Sequence, residues 1–387
     1  MLPDLWTPDL SDDERIALEL AGVLTVKQFG PRAEEVDRTG EYPWDHVAAL
    51  AEANLLGAFI PAEYGGPGQS LSATCAVVER VSTGCASTGA ILAAYALGAF
   101  PLMLAGTKEQ KQRYLPGIVR GKAVSFALTE RGAGSDVKAL TTTAEPAGRG
   151  CWRIRGEKIY IGNGGVAEHY VVFTKTRRGG RGELTAFMVS SAADGVVVDH
   201  YEDKMGIRGT TTSNLKLDTV VEEGDILGEV GGGLWLALQT LVVGRVTVAA
   251  QSVGLGLAAL EAAAGHAAGR SAFGKVIIDH QGIGFQLADV ATQLTAARLM
   301  TFQAARAYDE GRDVSVLGAM TKLFASEAAH LAADVAVQVY GGAGYCKPCI
   351  AERLYRDQRV LQIYEGSSEI QRLIIAGAVK SSTAPAC

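Results

Sequence analysis

The sequence predicts an α+β protein made of an N-terminal α-helical domain, a central antiparallel β domain and a C-terminal four-helix bundle. The spacing of the apolar residues carries this prediction, because it is helical at first, alternates in the middle and then becomes helical again. A chain of 387 residues is also long enough for two or three domains. We therefore expect domains at 1–122, 123–233 and 234–387.

The N-terminal part has helical spacing behind recognisable capping residues and turns. Helices are expected from Asp12 to Val23, from Pro43 to Leu55, from Leu71 to Ser82 and from Ala86 to Leu104. The segment that follows Gly106 is rich in charge, so we expect it to form a helix with a solvated face.

In the middle of the chain, short alternating runs are separated by Gly, Asn or Asp. Several such runs in succession predict an antiparallel sheet or a small barrel over about 123–232.

The C-terminal part predicts a helical bundle. Apolar residues with alternating four-three spacing describe a bundle seam at Ile283, Leu287, Val290, Leu294 and Ala297. Other helices are expected from Leu234 to about Ala268, from Val316 to Val339, and from Ser367 onward.

Composition and charge exclude some classes of function. The net charge of −6 without a basic cluster gives no reason to expect nucleic acid. No secretory signal is visible, and polar residues interrupt the longest apolar run at Gln239, Arg245 and Gln251, so we expect a cytoplasmic protein without a membrane span.

The six cysteines do not suggest a disulfide framework in a chain of this size. Cys346 and Cys349 form a Cys-Lys-Pro-Cys pair, which is compatible with a redox or metal site. No second pair accompanies it, so two ordinary loop thiols are the default interpretation and no metal is expected.

Glu365 is the strongest candidate for catalysis. It lies in Gln-Ile-Tyr-Glu-Gly, an apolar run that stops at Gly366, before a helix that Ser367 and Ser368 can cap. A carboxylate on such a bend can be held in a dry pocket, where desolvation raises its pKa and makes it a stronger base. The alternative is that Glu365 supports the start of the helix.

A second candidate site follows a strand that begins near Phe126. The strand enters a Gly-X-Gly loop with Thr129, Ser135 and backbone N–H groups, which suits an oxygen-rich ligand. An ordinary turn between strands is the alternative. The loop is not a dinucleotide fingerprint, because no parallel βαβ unit surrounds it.

Taken together, these motifs resemble those of the acyl-CoA dehydrogenase family, in family order from Ile60 to Ala376. The similar segments are Phe-Ala-Leu-Thr-Glu-Arg-Gly-Ala-Gly-Ser-Asp, Lys-Ile-Tyr-Ile-Gly-Asn-Gly-Gly, Arg-Ser-Ala-Phe-Gly-Lys, Gln-Val-Tyr-Gly-Gly and Ile-Tyr-Glu-Gly-Ser-Ser-Glu-Ile-Gln-Arg. In that family the Glu of Tyr-Glu-Gly is the general base that removes the α-proton of an acyl thioester.

The resemblance implies FAD as the cofactor and assigns roles to further residues. Those implied to bind FAD are Phe126, Leu128, Thr129, Gly134, Ser135, Tyr160, Gly162, Arg270, Phe273, Gln281, Gln338, Gly341, Gly342, Ser367 and Glu369. Those implied to bind the substrate are Ser135, Arg245, Tyr364 and Gly366. The segment from Arg270 to Gln281 is implied to reach the FAD of a neighbouring subunit, so we expect a homo-oligomer, either a dimer or a tetramer.

The chain departs from the family pattern at four positions. Arg131 replaces a Pro, Tyr160 replaces a Trp, Gly162 replaces a Thr that hydrogen-bonds the flavin, and Val242 replaces an Asp. The departures at Arg131, Gly162 and Val242 suit a specialised biosynthetic relative, such as one that acts on an acyl group bound to acyl carrier protein.

The implied function is FAD-dependent α,β-dehydrogenation of a saturated, short-chain acyl-CoA or acyl carrier protein thioester. Glu365 would be the base and flavin N5 the hydride acceptor, with an electron-transferring flavoprotein as the next acceptor. Three alternatives stay open: an acyl carrier protein dehydrogenase of a secondary-metabolite or polyketide pathway, an oxygen-using oxidase, and a non-catalytic flavin-binding or cofactor-free interaction protein.

Overall fold

The computed structural model describes residues 8–178 and 181–382. Its N-terminal part is helical. Its helices are α1 (Asp12–Leu24), α2 (Gly30–Thr39), α3 (Trp44–Glu52), α4 (Leu71–Gly84), α5 (Ala86–Ala105) and α6 (Lys108–Val119). Ser11 and Glu14 form a reciprocal capping box at the start of α1, and Thr107 and Gln110 form another at the start of α6.

Helix α6 is less exposed than the charge pattern predicts. Gln110, Tyr114 and Leu115 are buried, and the Gln110 side-chain amide donates to the carbonyls of Gly224 and Ile226 at 2.9 and 2.8 Å. The helix is therefore amphipathic, and one face anchors the following β domain.

The described residues of the middle part form an eight-stranded sheet. The strands are β1 (Val124–Ala127), β2 (Thr143–Pro146), β3 (Cys151–Gly162), β4 (His169–Arg178), β5 (Arg181–Ser190), β6 (Val196–Tyr201), β7 (Thr212–Glu222) and β8 (Ile226–Leu227). Their order is β6-β7-β3-β2-β4-β5-β8, and β1 pairs with β4. Most pairs are antiparallel, as predicted, but β1 and β2 each run parallel to β4. Intervening segments separate these strands from β4, so no hairpin fixes their direction.

The C-terminal part is organised around α7 (Gly233–Gly269), which packs against α4, α5, α8 and α9. The ribbon of β9 (Ser271–Ala272) and β10 (Lys275–Val276) leads to α8 (Gln281–Asp309), α9 (Ser315–Tyr340), α10 (Ile350–Gln358) and α11 (Ser368–Ser382). The predicted seam of α8 is confirmed, because Leu287, Val290, Leu294 and Ala297 are buried and Ile283 packs against the same cluster. Helix α10 was not predicted.

Two helices, α5 and α7, are long and apolar enough to cross a membrane by length and composition. This differs from the expectation that no apolar run reaches that length. In the most apolar window of each helix, 72% and 89% of the residues are buried inside the protein. Burial of this kind is what the core helices of a bundle require.

Among the described residues, Cys75, Cys85, Cys151, Cys346 and Cys349 are free thiols. No group of three or more His, Cys, Asp or Glu side chains in the described ranges is placed to hold a metal ion.

Candidate active site

Glu365 lies on a bend between a 3-10 turn, Arg359–Gln362, and α11. Its φ is +55° and that of Gly366 is +90°, so both residues have left-handed backbone conformations. Such a conformation is unusual for a residue with a side chain and costs about 1–3 kcal/mol, which surrounding contacts must offset. The Gly366 carbonyl accepts hydrogen bonds from Lys322 Nζ at 2.8 Å and Gln371 Nε2 at 2.7 Å.

The Glu365 carboxylate points at the backbone of α7. A Cβ placed on Gly244 would lie 2.0 Å from Glu365 Oε2 and 3.2 Å from Leu97 Cδ1. The residue as a whole is only half-buried, but its Oε2 is buried and has no hydrogen-bond partner in the described part of the chain. An acceptor of this kind is costly unless it has a function or a ligand.

Burial is the largest influence on the Glu365 pKa and raises it to about 7, although the charges of Lys322 and Arg245 oppose the shift. Burial also lowers the pKa of Lys322 to about 8, against the charge of Glu365. Arg245 is buried, and its Nε has no partner among the described residues. The arrangement gives a carboxylate poised for proton transfer near neutral pH, with two cations close by.

Tyr364 connects the same bend to a second point on α7. Its hydroxyl donates to Gln251 Oε1 in a short hydrogen bond, and burial raises the pKa of Tyr364, which keeps the donor protonated. Gln251 is fully buried. Gly244 and Gln251 are seven residues apart and therefore share one face of α7, with about 10 Å of helix between them.

The two predicted flavin motifs of the β domain lie side by side. Ile159 N–H donates to the Thr129 carbonyl at 2.9 Å, and the buried Lys158 Nζ donates to the Leu128 carbonyl at 3.0 Å and to Glu130 Oε1 at 2.8 Å. Burial opposes ionisation of Glu130, but Lys158 and the surrounding hydrogen bonds outweigh it and lower its pKa to about 2. This buried ion pair clamps the end of β1 to β3.

The surface beside this clamp is open at several of the residues predicted to bind FAD, which leaves space for a cofactor there. Tyr160 is 62% exposed and has a φ of +56°. Its backbone N–H donates to Asn214 Oδ1 at 3.1 Å. No atom would lie within 4 Å of a Cβ added at Gly134 or Gly162. Ser135 is exposed beside Gly134, while Phe126 is half-buried and Leu128 is buried.

The remaining predicted cofactor residues of the bundle lie elsewhere on the chain. Arg270 and Phe273 are exposed on the link between α7 and α8, and Gln281 is exposed at the first residue of α8. Gln338, Gly341 and Gly342 are exposed at the end of α9. His266 and Tyr340 stack with ring centroids 4.1 Å apart, which brings these two ends together.

Within one chain this group is remote from Glu365. Arg270 lies 25 residues after Arg245, or about 37 Å along the helix axis. By contrast, Ser367 is half-buried within the bend that carries Glu365, and Glu369 is exposed in the first turn of α11. The predicted site residues therefore lie in three places on the chain: at the Glu365 bend and the adjoining helices, in the two adjacent motifs of the β domain, and on the outer ends of the bundle.

Comparison with known proteins accounts for nearly the whole chain. Family models match for the acyl-CoA dehydrogenase N-terminal domain at residues 11–122, the middle domain at 125–220 and the C-terminal domain at 231–380. The chain belongs to the acyl-CoA dehydrogenase family. The predicted fold class is confirmed, and so is the prediction of an FAD-dependent oxidoreductase.

Several relatives resemble the protein over almost their full length. It is 39% identical to a 3-(aryl)acrylate reductase of Clostridium sporogenes over 95% of this chain and 98% of the relative. It is 41% identical to the mitochondrial short-chain specific acyl-CoA dehydrogenase of Bos taurus over 92% of this chain and 87% of the relative.

Solved structures show the same similarity. Butyryl-CoA dehydrogenase from Megasphaera elsdenii superposes with a TM-score of 0.94 at 35% identity, covering 97% of this chain and 100% of the other. The prolyl acyl carrier protein oxidase AnaB gives 0.91 at 27% identity, covering 96% and 100%. An acyl-CoA dehydrogenase from Bacillus anthracis, whose structure is complexed with FAD, gives 0.90 at 30% identity, covering 97% and 68%.

Sequence reasoning missed several residues of this acyl-CoA dehydrogenase site. Lys322 and Glu130 were not singled out, and Gln251 was named only as a polar residue that interrupts an apolar run, although each contacts a predicted residue or its neighbour. The one available signal was a charged or amide side chain in an apolar stretch, as at Lys322 in Met-Thr-Lys-Leu-Phe-Ala. That signal does not say which partner the side chain reaches.

Proposed function

We propose that the protein oxidises a saturated short-chain acyl thioester to the trans-2-enoyl thioester, with Glu365 as the base that removes the α-proton. The buried, unpartnered Oε2 of Glu365 carries this proposal. This oxygen is available to accept a proton, and the charges of Arg245 and Lys322 act on its carboxyl group. The residue lies on a bend with a left-handed backbone conformation, which fixes the direction of the side chain.

The residues of the chain supply a proton acceptor and its alignment. The pro-R α-hydrogen of the substrate approaches Oε2 and is transferred to it as a proton, and a pKa near 7 makes the carboxylate strong enough as a base to accept it. FAD, which Thr129, Ser135 and Tyr160 would help to hold, would supply the two-electron oxidising power for removal of the β-hydrogen as hydride. The Glu365 backbone N–H polarises the thioester carbonyl, and loss of one such donor typically costs about 3 kcal/mol.

Similarity to a short-chain specific acyl-CoA dehydrogenase and to a butyryl-CoA dehydrogenase supports a short acyl chain. The hydrogen bond between Tyr364 and Gln251 holds the bend against the same face of α7 that carries Gly244. The two contacts with α7 are separated by about 10 Å of helix.

The carrier of the acyl group is either coenzyme A or acyl carrier protein. Val242 is an apolar residue packed with Ala307 and Val314, and Arg131 is exposed beside Glu157, which supports the specialised alternative in biosynthesis. Similarity to AnaB, named as an acyl carrier protein oxidase, also supports it. Turnover of one short acyl group, offered both as a CoA thioester and as a carrier protein thioester, separates the two carriers.

We further propose an electron-transferring flavoprotein as electron acceptor, a cytoplasmic location and a homo-oligomeric assembly, dimeric or tetrameric. Phe273 is 97% exposed, and with Arg270, Gln281 and Gln338 it belongs to the group far from Glu365 along α7, which supports a role at the cofactor of a second copy. Comparing turnover with oxygen and with an electron-transferring flavoprotein distinguishes the dehydrogenase from an oxidase.

The proposal is tested with Glu365→Gln, which keeps the shape of the side chain and removes the base. The variant is expected to bind FAD and stay yellow, yet to fail to bleach when a short acyl-CoA or the matching carrier protein thioester is added without oxygen. Glu261→Gln is the matched control, because Glu261 is an exposed carboxylate on α7 that is not among the predicted site residues. Normal bleaching by Glu365→Gln would refute the assignment.

A further inference from the structure

We propose that Lys322 is a positioning residue for Glu365: it holds the bend through the Gly366 carbonyl and supplies the positive charge that favours the ionised carboxylate. This inference rests on the proposed function, in which Glu365 is the base. It gives a role to a buried cation that the proposed chemistry does not otherwise use.

The geometry around Lys322 favours a role at the bend over a purely structural one. Its side chain is fully buried in α9, and its Nζ donates to the Gly366 carbonyl at 2.8 Å. Within the described residues, no carboxylate oxygen lies close enough to Nζ to count as an ion pair, whereas the buried Lys158 has one in Glu130. An ammonium is expensive to bury without such a partner. Among the neighbouring charges, the Glu365 carboxylate is the one that most strongly favours the protonated form of Lys322.

Lys322 is one of two cations that act on Glu365. Arg245 comes from α7 and Lys322 from α9, and both oppose the effect of burial on the carboxyl group. Helix α5 contributes the apolar Leu97, which lies near the same point beside Gly244 as the Glu365 carboxylate. The remaining polar groups near the bend do not oppose the effect of burial on Glu365. The Tyr364 hydroxyl donates its hydrogen bond to Gln251, and the charges of Glu327 and Glu369 raise the pKa of Lys322.

A neighbouring side chain provides a control that separates charge from hydrogen bonding. Gln371 Nε2 donates to the same Gly366 carbonyl at 2.7 Å and to the Glu365 carbonyl at 3.4 Å, but it is neutral. If Lys322 acts through its charge, loss of the Gln371 amide disturbs the bend without changing how readily Glu365 ionises. Loss of the Lys322 ammonium disturbs the bend and also changes how readily Glu365 ionises.

The experiment follows ionisation of Glu365 directly, by pH-difference infrared spectroscopy of the FAD-loaded enzyme without substrate. The carboxyl band that disappears in Glu365→Gln identifies the residue. In Lys322→Met we expect the midpoint of this band to rise by about 1–3 pH units, the usual effect of removing a nearby opposite charge. Lys322→Arg should return it towards the parent value, and Gln371→Leu should leave it unchanged while slowing flavin bleaching.

An unchanged midpoint in Lys322→Met would overturn the inference, and so would an equal rise in Gln371→Leu. If Lys322→Met does not fold or bind FAD, Lys322→Gln takes its place, because it retains a donor for the Gly366 carbonyl and lacks the charge. It should raise the midpoint in the same way. The infrared result does not depend on turnover. If Glu365→Gln still bleached, the proposed function would fail while this titration still reported on Lys322.

Discussion

Replacing Gly244 by Ala tests whether the close approach of α7 to Glu365 matters for catalysis. The new Cβ would lie 2.0 Å from Oε2, whereas ordinary contact begins at 3.4 Å, so the carboxylate has to move by about 1.4 Å. A misplacement of about 1 Å at a reacting group can cost about 10²-fold in rate. We therefore expect anaerobic bleaching by a short acyl thioester to slow by about two orders of magnitude.

Folding should not suffer in the same variant, because the atom that must yield is the end of a flexible side chain. Ala in place of Gly in a helix interior favours the helix by about 0.8–1.0 kcal/mol. Gly265→Ala is the matched control, since Gly265 lies in the same helix and has no atom within 4 Å of an added Cβ. It should gain similar stability and keep the parent rate. Parent-like bleaching in folded Gly244→Ala would contradict the contact between α7 and the base.

Three further predictions concern pH and stability. The bleaching rate should rise with pH through about 7, because burial raises the pKa of Glu365 to about 7 and only the carboxylate accepts the α-proton; a stopped-flow profile that is flat across this range would contradict it. The same raised pKa means that folding favours protonated Glu365, a contribution that is complete below the ordinary value of 4.5 and lost as pH rises through about 7. The free energy of unfolding of Glu365→Gln in urea should therefore exceed that of the parent at pH 8, and the excess should vanish near pH 4.5. Glu130→Leu should lower the free energy of unfolding by about 3–5 kcal/mol, because Lys158 is left buried without its partner. Asp218→Asn, which breaks an exposed pair with Arg153, should change it little, and equal losses in the two variants would argue against the buried clamp.

Local patterns explain why much of the fold could be read from the sequence. Helical spacing gave α1, α4, α5 and the seam of α8, since an amphipathic helix buries one face whatever its neighbours are. Helix α10 was not predicted, because Ile350–Gln358 is short and carries four charged side chains. The parallel pairing of β1 and β2 with β4 was also not predicted, because strand direction across long connections depends on how distant segments meet.

The sequence by itself determined the three-part architecture through helical and alternating apolar spacing. It marked Glu365 as a base candidate through the Gly-hinged bend before a capped helix, together with the resemblance of Ile-Tyr-Glu-Gly-Ser-Ser-Glu-Ile-Gln-Arg to a family motif. Only the tertiary structure decided what surrounds that carboxylate. Lys322 precedes it by 43 residues and Gly244 by 121, and packing of α7 and α9 against the final bend brings them together. The basicity of Glu365 depends on its burial and on the nearby charges of these separate helices. Both arise only when the helices pack together in the folded protein.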